Sequence, residues 1–185
     1  MKKFLFIILI VNFSFSQTKN VKVNFPTYII NGAEIGFEFS NKKGKTSHEF
    51  TLITMKAPSF DKNGDYDQFG VEYKMKNFIF NKKALNGFYI AAPIVNFINF
   101  KREYDFNSEN IKTLGVGSVA GYQFFLLNTP NSNLTLDINM GGNFQIPYDI
   151  KNIDQYFNSE SDQIDGLFLL PKYLRFNISI GYAFL

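Results

Sequence analysis

The chain has 185 residues, a formal net charge of +3 and no cysteine. It therefore forms neither disulfides nor thiolate metal sites, and its charge gives no field that favours nucleic acid as a partner. Hydrophobic residues make up 45% of the chain and 23 residues are phenylalanine, so a large aromatic surface has to be accommodated in a length typical of one domain.

The segment 1–16 has the layout of a secretory signal peptide. It starts with a basic region, continues with the unbroken apolar run 4–11 and ends with small residues suited to a cut before Gln17. The apolar run is too short to span roughly 30 Å of hydrocarbon. We therefore predict that 1–16 is cleaved and that 17–185 is a single exported domain, with a formal net charge of +1.

Beyond the signal peptide, apolar and polar residues alternate with a period of two, which predicts β-strands. The alternating segments are 33–40, 47–56, 67–76, 87–102, 113–126, 133–146 and 172–184, of which 87–102 is irregular around Pro93. Their apolar faces carry Phe, Tyr and Ile, and their polar faces are rich in Gly, Asn, Ser and Thr. A soluble barrel or sandwich would instead show abundant Lys and Glu on the face that meets water. The pattern favours a barrel that is apolar outside and polar inside.

The connections predict how these strands are joined. Short polar turns are predicted at 41–46, 81–86 and 128–133, alternating with longer loops at 57–66, 103–110 and 147–171. Such an alternation is expected of outer-membrane barrels. An even number of strands is reached if 19–30 forms the first strand and turns at Asn31-Gly32, a strong tight-hairpin dipeptide. The sequence thus predicts an all-β fold, a closed antiparallel up-and-down transmembrane β-barrel of eight strands.

The last strand, "RFNISIGYAFL", has two clearly different faces. One face carries the apolar and aromatic residues Phe176, Ile178, Ile180, Tyr182 and Phe184. Because a closed barrel has no edges, this strand is predicted to pair with the first strand.

Five stretches resemble a family of small, uncharacterised outer-membrane barrels of Gram-negative bacteria and, more distantly, the transmembrane domain of outer membrane protein A. These stretches are "VKVNFPTYIINGAEIGFEFS" (21–40), 69–80, 87–97, 114–126 and 170–184. The resemblance implies an outer-membrane location in contact with outer-membrane lipid. It also implies that the assembly machinery of that membrane reads the aromatic face of the last strand as a signal. It implies no catalytic activity.

Charged residues on the predicted inward faces are the main candidates for a site. They are Glu34, Glu38, Glu49, Glu72, Lys74, Lys76, Asp137 and Arg175. The interior of an eight-stranded barrel is just wide enough to be filled by side chains. Since buried charges must be paired, we predict a lumenal network of ion pairs and hydrogen bonds that plugs the barrel; a small ion pathway is the alternative.

The segment "DKNGDYDQFGVE" (61–72) is a candidate calcium loop. Asp61, Asn63, Asp65 and Glu72 occupy positions 1, 3, 5 and 12 of the calcium-loop pattern. Tyr66 stands where that pattern needs glycine, and no flanking helices are predicted. We therefore interpret 61–72 as an acidic external loop and predict neither a metal nor a cofactor.

Two other features bear on function. His48 is the only histidine, it follows a short turn, and no GxSxG motif occurs, so no enzyme is predicted. The last long loop, 147–171, mixes apolar and acidic residues and is a candidate surface for an unknown partner. We expect a structural or interaction-mediating outer-membrane protein. The alternatives are a secreted or periplasmic soluble barrel that binds a small apolar ligand and a membrane-embedded lipid-modifying enzyme.

Overall fold

The computed structural model describes residues 17–25, 32–41, 45–58, 65–80, 85–103, 108–128, 132–151 and 175–184. The predicted signal peptide lies outside these residues, so its cleavage stays a prediction. Within the described parts of the chain, no helix is long and apolar enough to cross a membrane.

The described residues form eight β-strands that close into a barrel in chain order. The strands are β1 (Gln17–Asn24), β2 (Gly32–Asn41), β3 (Thr46–Pro58), β4 (Asp65–Phe78), β5 (Gly87–Glu103), β6 (Ser108–Asn128), β7 (Ser132–Lys151) and β8 (Arg175–Phe184). Every neighbouring pair is antiparallel. The predicted closed, antiparallel, eight-stranded all-β barrel is therefore confirmed.

The seam between β1 and β8 closes the barrel. Its register runs from Lys19 opposite Phe184 to Asn24 opposite Ser179. The terminal strand thus pairs with the first strand, as predicted, because this pairing satisfies the backbone groups that an edge strand would leave open.

The start of the barrel differs from the prediction in two ways. β1 begins at Gln17, two residues before the predicted 19–30, and is described to Asn24; residues 26–31 lie outside the described residues. The register of the β1–β2 ladder, which places Val23 opposite Ile35, does not fit a two-residue hairpin at Asn31-Gly32, and Asn31 itself lies outside the described residues.

The predicted alternation of short turns and long loops is only partly correct. Much of the predicted loops 57–66 and 103–110 is strand, and the connections left there are 59–64 and 104–107. Neither is longer than 79–86 at the opposite end. Charged residues near the strand ends suggested loops, but exposed charges do not prevent backbone pairing. Only 152–174 remains a long connection, and it lies outside the described residues.

The strands separate polar from apolar side chains in the direction that the alternation predicts. Glu72, Lys74 and Lys76 of β4 are buried, whereas Phe69 and Val71 on its other face are exposed. The same division holds on β2, β7 and β8. The buried face of each strand points to the barrel interior, because buried side chains from opposite strands contact each other there, Gln123 with Glu38 and Arg175 with Glu72.

Strand β5 changes faces part-way along its length. A bulge between Ala91 and Ile94 disturbs its register with both neighbours. As a result Tyr89 and Ala91 point inward before the bulge, while Ile94 and Asn96 point inward after it. This is why 87–102 alternates poorly in the sequence.

Candidate functional site

The interior of the barrel is built largely from polar side chains, and charged groups lie at its centre. Lys22 Nζ lies 2.7 Å from Asp137 Oδ2 on β7, two strands away from its own strand, and 3.1 Å from Glu49 Oε2. Lys76 Nζ lies 2.6 Å from both Asp137 Oδ2 and Glu49 Oε2. Glu38 forms ion pairs with both lysines. We call these five residues the central cluster.

Neutral side chains complete the hydrogen bonds of the central cluster. The hydroxyl of Tyr89 donates to Asp137 Oδ1 at 2.6 Å, and Lys76 Nζ lies 4.7 Å from the centre of the Tyr89 ring. Gln123 Nε2 donates to Glu38 Oε2 at 3.2 Å, while its carbonyl oxygen accepts from Lys22 Nζ at 3.3 Å. With these neutral partners the cluster joins side chains from seven strands, which locks its geometry.

A second group of contacts lies nearer the end of the barrel that carries 152–174. Arg175 bridges Glu72 and Glu34, with 3.1 Å between its Nη2 and Glu34 Oε1. Asn96 Nδ2 donates to Glu72 Oε2 at 3.3 Å. Lys74 connects this group to the central cluster, since its Nζ lies 3.1 Å from Glu72 Oε1 and 2.8 Å from Glu49 Oε1. We call Glu34, Glu72, Asn96 and Arg175 the Arg175 layer.

Little space is left between these two groups. An interior void lined by Lys22, Glu49, Lys74, Asn177 and Ser179, among others, has a volume of about 10 Å³. Such a volume holds about one water molecule. The interior between the two groups is therefore filled by side chains.

An apolar cluster lies beside the central cluster on the β4–β6 wall. Phe78, Tyr89, Ala91, Ile94 and Val119 pack together there and are almost fully buried. The Phe78 and Tyr89 rings are 5.4 Å apart between centres. The interior is thus ionic on one side and apolar on the other.

All the charged residues that the sequence pointed to lie in this interior. Glu34, Glu38, Glu49, Glu72, Lys74, Lys76, Asp137 and Arg175 are brought together there and pair with one another. The sequence analysis missed Lys22, Tyr89 and Gln123. The inward alternation of Asn20, Lys22 and Asn24 could have revealed Lys22, whereas the bulge concealed Tyr89.

The candidate calcium loop does not have the geometry of a metal site where the structure describes it. Asp65 and Glu72 belong to the same extended strand and are therefore about 23 Å apart along it. Glu72 instead binds Lys74 and Arg175 in the interior. Asp61 and Asn63 lie outside the described residues.

The other singled-out residues lie on the outer face or outside the described parts. Phe176, Ile178, Ile180, Tyr182 and Phe184 form the outer face of β8. His48 lies near the start of β3, where its Nδ1 is 2.8 Å from the Tyr73 hydroxyl and its ring stacks on Phe39. Of the loop predicted at 147–171, residues 147–151 belong to β7, and a partner at the remainder stays a prediction.

Comparisons of this chain with protein-family models, with curated proteins and with solved structures returned no match. The resemblance to small outer-membrane barrels therefore stays a hypothesis that rests on the sequence stretches named above.

Proposed function

We propose that this protein is an integral outer-membrane β-barrel with a filled interior, which acts structurally or through partners at its external loops and has no catalytic activity. The observation that carries the proposal is the inverted polarity of the closed barrel. Its interior holds paired charges, and its outer face is apolar. A soluble barrel that binds an apolar ligand needs the opposite arrangement.

The large extent of the apolar outer face supports the proposal that lipid surrounds the barrel. Large apolar side chains left uncovered by protein include Phe37, Phe50, Leu52, Phe69, Phe97, Val116, Tyr122, Met140, Phe144, Phe176 and Phe184. They come from every part of the barrel wall. Contiguous apolar patches on soluble monomers rarely exceed a few hundred Å². A surface of this kind is stable when hydrocarbon surrounds it.

The height of the apolar outer face also agrees with the thickness of the apolar part of a membrane. On β7 the outward residues from Leu134 to Ile146 are apolar except for Gly142. At a tilt of about 40°, this run rises about 30 Å, and outer-membrane barrels have an apolar band about 25 Å tall. The strand is long enough to cross such a band.

Aromatic side chains are present near both ends of the outer face as well as on its middle. Near the end that carries 42–45 and 129–131, Tyr122 packs beside Phe124, and Tyr182 packs beside Phe184. Toward the opposite end, exposed aromatic residues are Phe69 near the start of β4 and Phe144 and Tyr148 near the end of β7. Aromatic girdles at both interfaces are typical of outer-membrane barrels. The predicted signal peptide supports export, and we place 152–174, the longest connection, on the external side.

Membrane integration is tested first by extraction. The full chain, including its predicted signal peptide, is expressed in a Gram-negative host, and the membranes are washed with carbonate and with urea. We expect the protein to stay in the membrane pellet and to change its mobility on a gel when it is heated. Recovery in the soluble fraction would overturn the proposal.

The substitution Met140→Arg gives a second, independent test. Met140 lies near the middle of β7 and is 65% exposed, so in water an arginine there should change the free energy of unfolding by no more than about 0.5 kcal/mol. In a bilayer, arginine near the midplane of the lipid face costs about 2–4 kcal/mol.

The matched control for this test is Tyr148→Arg, near the end of the same strand face. Near the interface the cost falls to about 0–1 kcal/mol. Urea unfolding in lipid vesicles measures both variants. Equal stability of the two variants would argue against a lipid-facing β7, even if the protein sediments with membranes.

A further inference from the structure

The small void between the central cluster and the Arg175 layer lies against the seam that closes the barrel. Its volume of about 10 Å³ is about the space that one water molecule needs. Its walls come from β1, β2, β3, β4 and β8. Most of its lining side chains are polar, among them Asn24, Glu49, Thr51, Lys74 and Ser179. We call this space the seam void.

Asn24 brings an unused hydrogen-bond acceptor to the seam void. It is 7% exposed, and its Nδ2 donates to Glu34. Its Oδ1 is buried and accepts no hydrogen bond from any residue that the structure describes. Nearly all buried polar atoms in native proteins have a partner, which is either a protein group or an ordered water. Asn24 Oδ1 therefore needs a donor that these residues do not supply.

Lys74 brings an unused hydrogen-bond donor to the same space. An ammonium group has three N–H donors. Lys74 Nζ lies 2.8 Å from Glu49 Oε1 and 3.1 Å from Glu72 Oε1. These contacts leave one N–H of Lys74 without an acceptor among the described side chains. A molecule in the seam void that satisfies both residues must accept from Lys74 and donate to Asn24.

The charges around the seam void favour a neutral molecule. Two ammonium groups, of Lys22 and Lys74, and two carboxylates, of Glu34 and Glu49, line the void. A cation would be repelled by the ammonium groups and an anion by the carboxylates. A water molecule meets neither penalty, and it both donates and accepts hydrogen bonds.

We propose that the seam void binds one ordered water molecule, which accepts from Lys74 Nζ and donates to Asn24 Oδ1. The hydroxyl oxygen of Thr51 or Ser179 can accept its second hydrogen, since both residues line the void. The water thereby joins the end of β1 to β4 through the interior, next to the β1–β8 seam. The site lies inside the barrel, so the inference does not rest on the proposed membrane location.

Gly36 gives a direct probe of the seam void. It lines the void from the inward face of β2. A Cβ atom there would stand 3.5 Å from Glu49 Oε1 and 3.6 Å from Lys22 Cβ, which are ordinary contact distances. Gly36→Ala therefore places one methyl group in the void without a clash.

Urea unfolding of Gly36→Ala tests the proposal by the sign of its effect. The full chain is folded in lipid vesicles, or in buffer if it proves soluble. If water is bound, the methyl group displaces it and leaves Asn24 and Lys74 without their partner, so we expect the urea midpoint to fall by about 0.5 M. In a dry void the methyl group would fill a cavity and replace a strand glycine, and both effects raise stability. An unchanged or raised midpoint would overturn the proposal.

The matched control is Gly142→Ala on the outer face of β7. It makes the same backbone change away from the seam void, so we expect its midpoint to be unchanged or raised. A fall as large as that of Gly36→Ala would show that the loss comes from replacing a strand glycine. The proposal would then be wrong.

A measurement on the parent protein makes the test independent of any variant. In a rotating-frame NMR experiment, the side-chain amide protons of Asn24 should give a cross-peak to a long-lived water molecule. The urea midpoint should also stay the same when NaCl is replaced by choline chloride at equal ionic strength. A missing cross-peak, or a midpoint that falls when Na⁺ is withdrawn, would refute the water site.

Discussion

At the scale of single residues, Asp137 is the carboxylate on which the central cluster depends. It accepts contacts from Lys22 Nζ at 2.7 Å, Lys76 Nζ at 2.6 Å and the Tyr89 hydroxyl at 2.6 Å. All of these groups are almost completely buried. Removing one partner of a buried ion pair leaves an uncompensated charge, which costs more than the pair itself contributes.

The substitution Asp137→Asn should therefore lower the free energy of unfolding by about 3–5 kcal/mol. Asp67→Asn is the matched control, because it makes the same chemical change at an exposed position and should cost no more than about 1 kcal/mol. Urea titration of the protein in lipid vesicles measures both. Equal effects would mean that water reaches the central cluster and screens its charges.

At the scale of elements, the seam between β1 and β8 depends on a glycine. Gly181 lies on the inward face of β8, opposite Lys22 on one side and Thr135 on the other. A Cβ atom there would stand 2.6 Å from Thr135 Oγ1 and 2.8 Å from Lys22 Cγ. The absence of a side chain lets the first and last strands approach while Lys22 reaches the interior.

We expect Gly181→Val to destabilise the barrel by about 1–3 kcal/mol through overpacking. The neighbouring outward change Ile180→Val should stay within about 0.5 kcal/mol. The stability of both variants is measured by the fraction of protein whose gel mobility still changes on heating after incubation at increasing urea concentrations. If Ile180→Val were the more harmful change, the assignment of the two faces of β8 would be wrong.

The sequence predicted the buried and exposed faces of the strands well where the alternation of apolar and polar residues is unbroken. It predicted them poorly where that alternation is interrupted. β2, β4 and β7 have the faces that their alternation indicated, so Glu38, Glu72 and Asp137 were found from the sequence. In β5 the bulge between Ala91 and Ile94 reverses the alternation, which concealed Tyr89. A bulge depends on the pairing of both neighbouring strands, and a single strand's sequence does not contain that information.

At the scale of the whole molecule, the filled interior predicts a poor channel. A water-sized void remains beside Glu49 and Lys74, and Phe78 packs on Tyr89 beside the ion pairs. Hydrated ions need a continuous wider path. Planar-bilayer recordings should therefore show no large, steady conductance from protein whose folding has been verified by its mobility change on heating. Such a conductance, persisting at single-molecule dilution, would contradict the filled interior.

The sequence by itself predicted the inversion of polarity from the period of two that most strands share. It predicted the strand number and the antiparallel order from the order of these segments along the chain and the connections between them. The tertiary structure alone decided which charges meet. Lys22 and Asp137 are 115 positions apart, and only closure of the barrel brings their strands to the two sides of β8. The bulge in β5 and the true length of the connections were decided in the same way, since each depends on the register between strands and not on the pattern within one.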